Sequence, residues 1–158
     1  NLIHLSGPEG LMLSEQRTRG FVQAHRDLGI PFSREKILRC GDGDVEESFK
    51  IIQNALQKGM KFDGIFAVND IAAVGALQAL QAAHISIPQE VAIIGYSDWQ
   101  FSSFISPTLT TIKQNGNDMG KKAAELLLEE IHSKDTFIEP KSITLPTEII
   151  LRGTTLNK

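Results

Sequence analysis

Apolar and polar positions along this chain predict strands and helices in turn. Short apolar runs bounded by turn residues are typical of buried strands, whereas apolar residues spaced three and four apart are typical of helices. On this basis we predict strands at residues 2–5, 37–39, 65–68 and 91–95, and helices at residues 14–28, 45–58 and 70–83. Because the linkers are only a few residues long, the pattern predicts an α/β fold with a doubly wound, mostly parallel sheet.

The last third of the chain departs from this alternation. Residues 107–114 form an extended, β-branched segment, and residues 119–132 carry an apolar stripe at helical spacing. Asp118 is in position to cap that helix. Residues 144–151 predict one more strand, in which Pro146 favours an edge position because proline cannot donate to a strand ladder.

The most informative junction lies in residues 62–70, with the sequence FDGIFAVND. A short apolar run stops at Asn69 and Asp70, and a helical pattern begins at once. Asp70 is predicted as the helix N-cap, because its carboxylate can accept bonds from the free N–H groups of the first turn. Open α/β sheets bind ligands at the carboxyl ends of their strands. Asn69 and Asp70 are therefore the first candidates for a binding site.

Composition and charge exclude several classes of protein. A length of 158 residues with 41% hydrophobic and 22% charged residues fits one globular domain. The net charge of −3 gives no basic surface for nucleic acid, so this chain by itself is not expected to bind DNA. No stretch approaches the roughly 20 apolar residues of a membrane span. The single cysteine, Cys40, excludes an intramolecular disulfide and favours a reducing, cytoplasmic location.

Enzymatic chemistry finds little support in the sequence. Residues 95–99, GYSDW, come near the Gly-x-Ser-x-Gly nucleophile elbow but lack its second glycine. The four histidines lie on separate elements without paired spacing, which argues against a metal site. We therefore expect no catalytic residue, no metal and no cofactor.

Five stretches, in order and in register, carry a family resemblance. They are residues 17–21 (RTRGF), 62–70 with 73–76 (AVGA), 87–96 (IPQEVAIIGY), 107–114 (PTLTTIKQ) and 119–124 (MGKKAA). Together they resemble the C-terminal effector-binding part of the LacI/GalR family, the lactose/purine/galactose repressor family of transcription regulators. The match covers essentially the whole chain, including residues 151–155.

The resemblance implies a periplasmic-binding-protein-like domain in which two α/β lobes close on a small molecule. Residues 1–158 correspond mainly to the C-terminal lobe, and residues 115–143 would pack on the N-terminal lobe. That lobe and the helix-turn-helix are expected to lie outside a chain that opens inside a strand, so DNA would be bound only through the N-terminal reader. Deprived of its neighbours, the apolar face of the 119–132 helix is expected to be covered in a homodimer.

The resemblance also implies which side chains meet the ligand. Arg17 falls at the position of the arginine that grips the effector, although a solvated helix arginine is the alternative. Asn69 matches the ligand amide at the end of a strand, and Asp70 would cap the helix beside it. Gln114 matches a position that often faces the cleft, and it could equally be a hinge residue.

Two departures from the family pattern bear on the ligand. Ser97 stands where many members have a carboxylate, and Gly43 stands where an aromatic ring often stacks on the ligand. Trp99 could supply a replacement stacking face, or it could pack within its loop. The expected effector is a sugar or sugar derivative that differs from simple galactosides and purines.

Two other classes of function share parts of this pattern. A sugar-binding component of an importer has the same fold, and a secretion signal upstream would favour it. An enzyme would need a phosphoacceptor at Asp70 or a nucleophile at Ser97, and turnover on a sugar or ester panel would be required to support it.

Overall fold

The computed structural model describes residues 1–41, 43–133 and 139–155, so residues 134–138 of the predicted lobe-crossing segment lie outside the described part. The strands are β1 (Leu2–Ser6), β2 (Ile37–Arg39), β3 (Gly64–Ala67), β4 (Ala92–Ser97), β5 (Thr110–Lys113) and β6 (Glu148–Ile150). The helices are α1 (Met12–Asp27), α2 (Val45–Gln57), α3 (Asp70–Ala82) and α4 (Gly116–His132). Short 3₁₀ turns occur at Arg34–Lys36 and Gln100–Ser103.

The strands form one sheet in the order β2-β1-β3-β4-β5-β6. Neighbouring strands from β2 to β5 pair in parallel, whereas β6 lies antiparallel to β5 at the edge. The chain passes from β1 through α1 to β2 on one side, and then returns through α2 to β3 on the other. The predicted doubly wound, mostly parallel α/β sheet is confirmed.

Helices cover both faces of the sheet around β1. Successive side chains of a strand point to opposite faces. Ile3 and Leu5 are buried in a core that also contains apolar residues of α2 and α3. His4, between them, stacks on Phe66 and lies 5.3 Å, ring centre to ring centre, from Phe21 of α1. Helices α2 and α3 therefore lie on one face and α1 on the other.

Close packing between α2 and α3 depends on Gly75. A Cβ atom on Gly75 would lie 2.4 Å from the backbone oxygen of Val45 and 2.7 Å from the Cβ of Ser48. Any larger residue at this position would force the two helices apart, because protein interiors are close-packed and leave no space for the added atoms. This contact fixes α3 against α2, and Asn69 directly precedes α3.

Element boundaries at the end of the chain differ from the prediction. Strand β4 runs two residues further than expected, because Tyr96 and Ser97 pair with Ile112 and Lys113 of β5. Strand β6 is only three residues long, and Pro146 lies before it rather than within it. The prediction of an edge strand is confirmed, but its predicted length is wrong.

Helix α4 begins three residues earlier than predicted and is capped by a different residue. The Asn115 side-chain oxygen accepts from the Asp118 backbone N–H at 3.4 Å, and the Asn115 amide donates to the Asp118 carboxylate. The prediction that Asp118 is the cap is wrong, because this reciprocal pair places the cap one turn upstream. No residue of α4 is buried, and Met119, Leu127 and Ile131 are each more than half exposed. Within this chain its apolar stripe is thus left uncovered, and its expected burial in a homodimer stays a prediction.

Candidate functional site

The carboxyl ends of neighbouring strands gather the candidate residues at one edge of the sheet, here called the carboxyl edge. Val68 and Asn69 follow β3, Ser97 ends β4, and Gln114 follows β5. Arg17 reaches this edge from the second turn of α1. The order in which strands are added to the sheet reverses at β1, since β2 lies on one side of it and β3 on the other. The crevice at the carboxyl ends of β1 and β3 is where an open α/β sheet binds its ligand.

Arg17 is held by one hydrogen bond and one aromatic ring. Its Nη1 donates to the backbone oxygen of Val68 at 2.5 Å, and its Cζ lies 3.8 Å from the centre of the Tyr96 ring. Partial burial lowers the pKa of Arg17, while the neighbouring Tyr96 acts in the opposite direction. Guanidinium groups nevertheless stay protonated in proteins. The carboxyl edge therefore carries a fixed positive charge, whose contact with a ligand stays a prediction.

Asn69, not Asp70, caps α3. The Oδ1 atom of Asn69 accepts a 2.7 Å hydrogen bond from the Ala72 backbone N–H, and the Asn69 backbone is extended, as at N-caps. The prediction that Asp70 caps the helix is wrong by one residue, because Asp70 is already helical. The amide oxygen of Asn69 is thus engaged, which leaves its Nδ2 donor for a ligand. A Cβ atom at Gly43 would lie 3.3 Å from that Nδ2, so the glycine keeps the amide accessible.

Asp70 is instead a buried anchor. Asp70 is only 1% exposed. Its carboxylate accepts three hydrogen bonds, from the Trp99 backbone N–H (2.8 Å), the Ser102 hydroxyl (2.8 Å) and the Thr111 hydroxyl (2.5 Å). A Cβ atom on Gly95 would lie 2.3 Å from the Asp70 Oδ1. Asp70 therefore ties the start of α3 to β5 and to the segment after β4.

The turn of residues 97–99, which follows β4 into the carboxyl edge, has an unusual backbone. Ser97 and Asp98 both have positive φ, at 129° and 53°. Such conformations cost about 1–3 kcal/mol each in non-glycine residues and persist where surrounding contacts enforce them. The Asp98 carboxylate is paired with Arg152 at 2.7 Å, and each side chain is 19% exposed. The turn is thus fixed by contacts from outside it.

The remaining two candidates also lie at or beside the carboxyl edge. The Trp99 residue is 53% exposed, and its ring centre is 5.7 Å from that of Phe101. Trp99 therefore packs on Phe101 within its loop, and enough of its ring stays exposed for a ligand to stack on it. Gln114 is half-buried and occupies the exit from β5, where its backbone oxygen accepts from the Gly116 N–H at 3.0 Å.

The sequence did not predict the roles of three side chains that shape the carboxyl edge. Tyr96 supports Arg17, Asp70 anchors the segment after β4, and Arg152 pairs with Asp98. One signal was available for Asp70, since a glycine inside a strand, here Gly95, often marks the close approach of another group. Nothing in the sequence pairs Arg152 with Asp98, which lies 54 residues away along the chain.

A cavity of about 410 Å³ lies at the opposite edge of the sheet. It is lined by Asn1, Ile3, Glu35, Lys36, Lys58, Gly59, Met60 and Lys61. These residues surround the amino ends of β1 and β2, away from the carboxyl ends where ligands of such sheets bind. We therefore place the candidate site at the carboxyl edge and not in this cavity.

Other kinds of site find no support in the described residues. They contain no group of three or more histidine, cysteine, aspartate or glutamate side chains able to hold a metal ion. None of the helices in the described ranges is long and apolar enough to cross a membrane. What the carboxyl edge does offer is the N–H donors of Arg17 and Asn69 and the exposed aromatic face of Trp99.

Comparison with known proteins gives a consistent result. A family model described as a periplasmic binding protein-like domain matches residues 2–155. A transcriptional repressor, PurR of Actinobacillus pleuropneumoniae, is 35% identical over 153 residues, which is 97% of this chain and 45% of the relative. The chain thus spans about half the length of the curated relatives it matches.

Solved structures of transcription regulators share the fold. The lac repressor dimer bound to operator and the anti-inducer ONPF has a TM-score of 0.88 and 25% identity, over 99% of this chain and 53% of that one. The transcriptional regulator CelR in complex with cellobiose has a TM-score of 0.87 and 25% identity, over 97% and 46% of the two chains. The curated relative and both solved structures are transcription regulators.

Proposed function

Because the chain belongs to the periplasmic binding protein-like domain family, in the form found in LacI-type regulators, we propose that it senses a small-molecule effector for a DNA-binding transcription regulator. The single observation that carries this proposal is the convergence of Arg17, Asn69 and the 97–99 turn at the carboxyl edge. In this proposal the carboxyl edge forms one wall of a cleft. A second lobe, outside these residues, forms the other wall.

The proposed ligand is a sugar or a sugar derivative. Arg17 supplies charged N–H donors, and Asn69 supplies an amide donor whose oxygen is engaged in the helix cap. Ser97 supplies a hydroxyl where related proteins often place a carboxylate, and the exposed Trp99 ring offers an apolar face for stacking. A polyol with an apolar ring face satisfies both kinds of group. The cellobiose in the complex of the structural relative CelR belongs to this class of ligand.

The remaining parts of the proposal concern assembly and location. Residues 115–143 would pack on the second lobe, and α4 carries the uncovered apolar stripe that such packing requires. The regulator would act in the cytoplasm as a homodimer and bind DNA through an N-terminal reader. Effector binding would favour the closed arrangement of the two lobes and thereby change operator affinity.

Isothermal titration calorimetry on the complete protein tests the proposal. The ligands are a panel of glucose, galactose, ribose, fructose and cellobiose together with their acids and phosphates. We expect at least one to bind, and we expect Arg17→Ala to weaken that binding at least about tenfold, as loss of a charged hydrogen bond does. Arg26→Ala, an exposed arginine in the last turn of the same helix, is the matched control and should bind as the unmodified protein does.

Two outcomes would contradict the proposal. Unchanged affinity in the Arg17→Ala variant would remove the carboxyl edge as the binding site. A secretion signal in place of a helix-turn-helix ahead of residue 1 would favour the importer component, which shares this fold, over the regulator.

A further inference from the structure

Arg152 forms hydrogen bonds to two parts of the chain, the 97–99 turn and the start of β5. Its Nη2 donates to the Asp98 carboxylate at 2.7 Å, and its Nη1 donates to the backbone oxygen of Leu109 at 2.9 Å. Its backbone N–H donates to the Thr110 hydroxyl at 2.8 Å. The planar guanidinium can serve two acceptors in fixed directions, which a lysine ammonium cannot do in the same way. Arg152 therefore holds the start of β5 and the 97–99 turn in one arrangement.

The turn needs such an anchor because its own backbone is strained. Ser97 and Asp98 have positive φ, and neither is a glycine. The Asp98 N–H donates to the Thr111 hydroxyl over a long 3.3 Å, while the Trp99 N–H is bound by the buried Asp70 at 2.8 Å. One end of the turn is thus fixed firmly by Asp70. The other end, Ser97, pairs with Lys113 of β5. Between the two ends, the Asp98 carboxylate is held by Arg152.

The position of Arg152 along the chain connects this ion pair to another part of the structure. Strand β5 leads into residues 115–143, and β6 brings the chain back antiparallel to it, with Lys113 opposite Glu148. Arg152 follows β6 by two residues. The pair with Asp98 thus links the returning strand to the turn that carries Ser97 and Trp99.

We propose that Arg152 is a positioning residue of the ligand site, which through Asp98 holds the 97–99 turn and couples it to the strand that returns from residues 115–143. The role in ligand binding rests on the proposed function, whereas the role in holding the turn does not. Arg152 makes no contact with the ligand in this scheme. It sets the direction in which Ser97 and Trp99 meet the cleft.

Amide hydrogen exchange measures the turn without any ligand. In Arg152→Met and in Asp98→Asn, we expect the N–H groups of Asp98 and Trp99 to exchange at least about tenfold faster than in the unmodified protein, because a partly buried ion pair has been broken. The double variant should exchange no faster than either single one, since both changes remove the same interaction. Arg152→Lys should fall between, because it keeps the charge and loses the fork.

Thr154→Val is the matched control for general destabilisation. The buried Thr154 hydroxyl donates to the Ile93 backbone oxygen and accepts from the Thr110 N–H, both at 2.8 Å, in the same corner of the fold. Both of these partners lie outside the 97–99 turn. We expect this variant to lower the unfolding midpoint while the Asp98 and Trp99 amides keep their exchange rates relative to the rest of the sheet. Equal acceleration in Thr154→Val and Arg152→Met would overturn the proposal.

Isothermal titration calorimetry tests whether Arg152 and Asp98 affect ligand binding. For the tightest-binding sugar of the panel above, the Kd should rise at least about tenfold in Arg152→Met and in Asp98→Asn, with no further rise in the double variant. An unchanged Kd with loosened turn amides would overturn the positioning role in binding. If no sugar binds the unmodified protein, the proposed function fails, and the exchange rates still decide whether Arg152 holds the turn.

Discussion

The central carbon of the Arg17 guanidinium lies over the Tyr96 ring, 3.8 Å from the centre of the ring. The two residues come from α1 and β4, which are joined through the sheet and not through neighbouring sequence. The ring thereby fixes a long and flexible side chain at the carboxyl edge. If Arg17 binds the ligand as proposed, Tyr96 supports that contact by holding the arginine.

Replacement of Tyr96 tests this support. Tyr96→Leu should weaken sugar binding by about 1 kcal/mol, or roughly fivefold, because a cation loses its aromatic face. Tyr96→Phe keeps the ring and should stay within about threefold of the unmodified protein. Calorimetry with the tightest-binding sugar gives both values, and equal losses in the two variants would contradict the role of the ring.

Replacement of Asp70 tests the buried anchor. Asp70→Asn has nearly the same shape but turns an acceptor of three hydrogen bonds into a group with a donor facing other donors. We expect the free energy of unfolding to fall by about 3 kcal/mol in urea denaturation. Asp63→Asn, at an exposed carboxylate, should change it by less than about 0.5 kcal/mol. Similar small losses in both variants would show that Asp70 is not an anchor.

The pH dependence of stability should reveal His4. Burial lowers the pKa of His4 from 6.5 to about 4, although a hydrogen bond to the Phe66 backbone oxygen opposes the change. Between these two values the unfolded chain binds a proton that the folded chain does not, so stability falls as the pH falls from 6.5 towards 4. From pH 6.5 to pH 5 the loss from this residue is about 1.6 kcal/mol.

Urea denaturation at pH 7 and pH 5 measures this effect. His4→Phe retains a ring that can stack on Phe66 and Phe21, and it cannot be protonated. We expect the variant to lose about 2 kcal/mol less than the unmodified protein between the two pH values. His84→Phe, at an exposed histidine, serves as the control and should follow the unmodified protein. An equal pH response in His4→Phe would contradict a buried neutral histidine.

Association of the chain should depend on the apolar stripe of α4. Leu127 is 56% exposed, and no residue of this helix is buried. Exposed apolar faces of this kind favour contact with another surface. In sedimentation velocity across a concentration series, we expect the chain to dimerise and Leu127→Glu to shift it towards monomer. Lys121→Glu, on another face of α4, is the control. A monomer at all concentrations with α4 protected from hydrogen exchange would contradict this prediction.

The sequence predicted the alternation of strands and helices well because β1, β2, β3 and β4 each contain a short apolar run. The least accurate part of the prediction was the choice of the residue that caps each helix. Asn69 and Asp70 are both good capping residues, and so are Asn115 and Asp118. The choice depends on where each carboxylate can go, and the space beside Gly95 that receives Asp70 exists only in the folded sheet.

The candidate site was predicted in part for a related reason. Asn69 was placed at this edge because it follows a predicted strand, whereas Arg17 and Ser97 were identified only through the resemblance to the LacI/GalR family. Arg152 could not be found this way, because its partner Asp98 becomes a neighbour only through the pairing of β5 with β6.

The central claim, that a sugar-like effector binds at the carboxyl edge, is tested most directly by a residue-resolved titration. The ¹⁵N-labelled chain is titrated with the tightest-binding sugar of the panel while amide chemical shifts are followed. The account predicts that the amides at positions 17, 69, 97–99 and 114 shift together along one saturating curve. Shifts centred instead on Ile3, Lys36 and Lys58, around the cavity at the opposite edge, would contradict it.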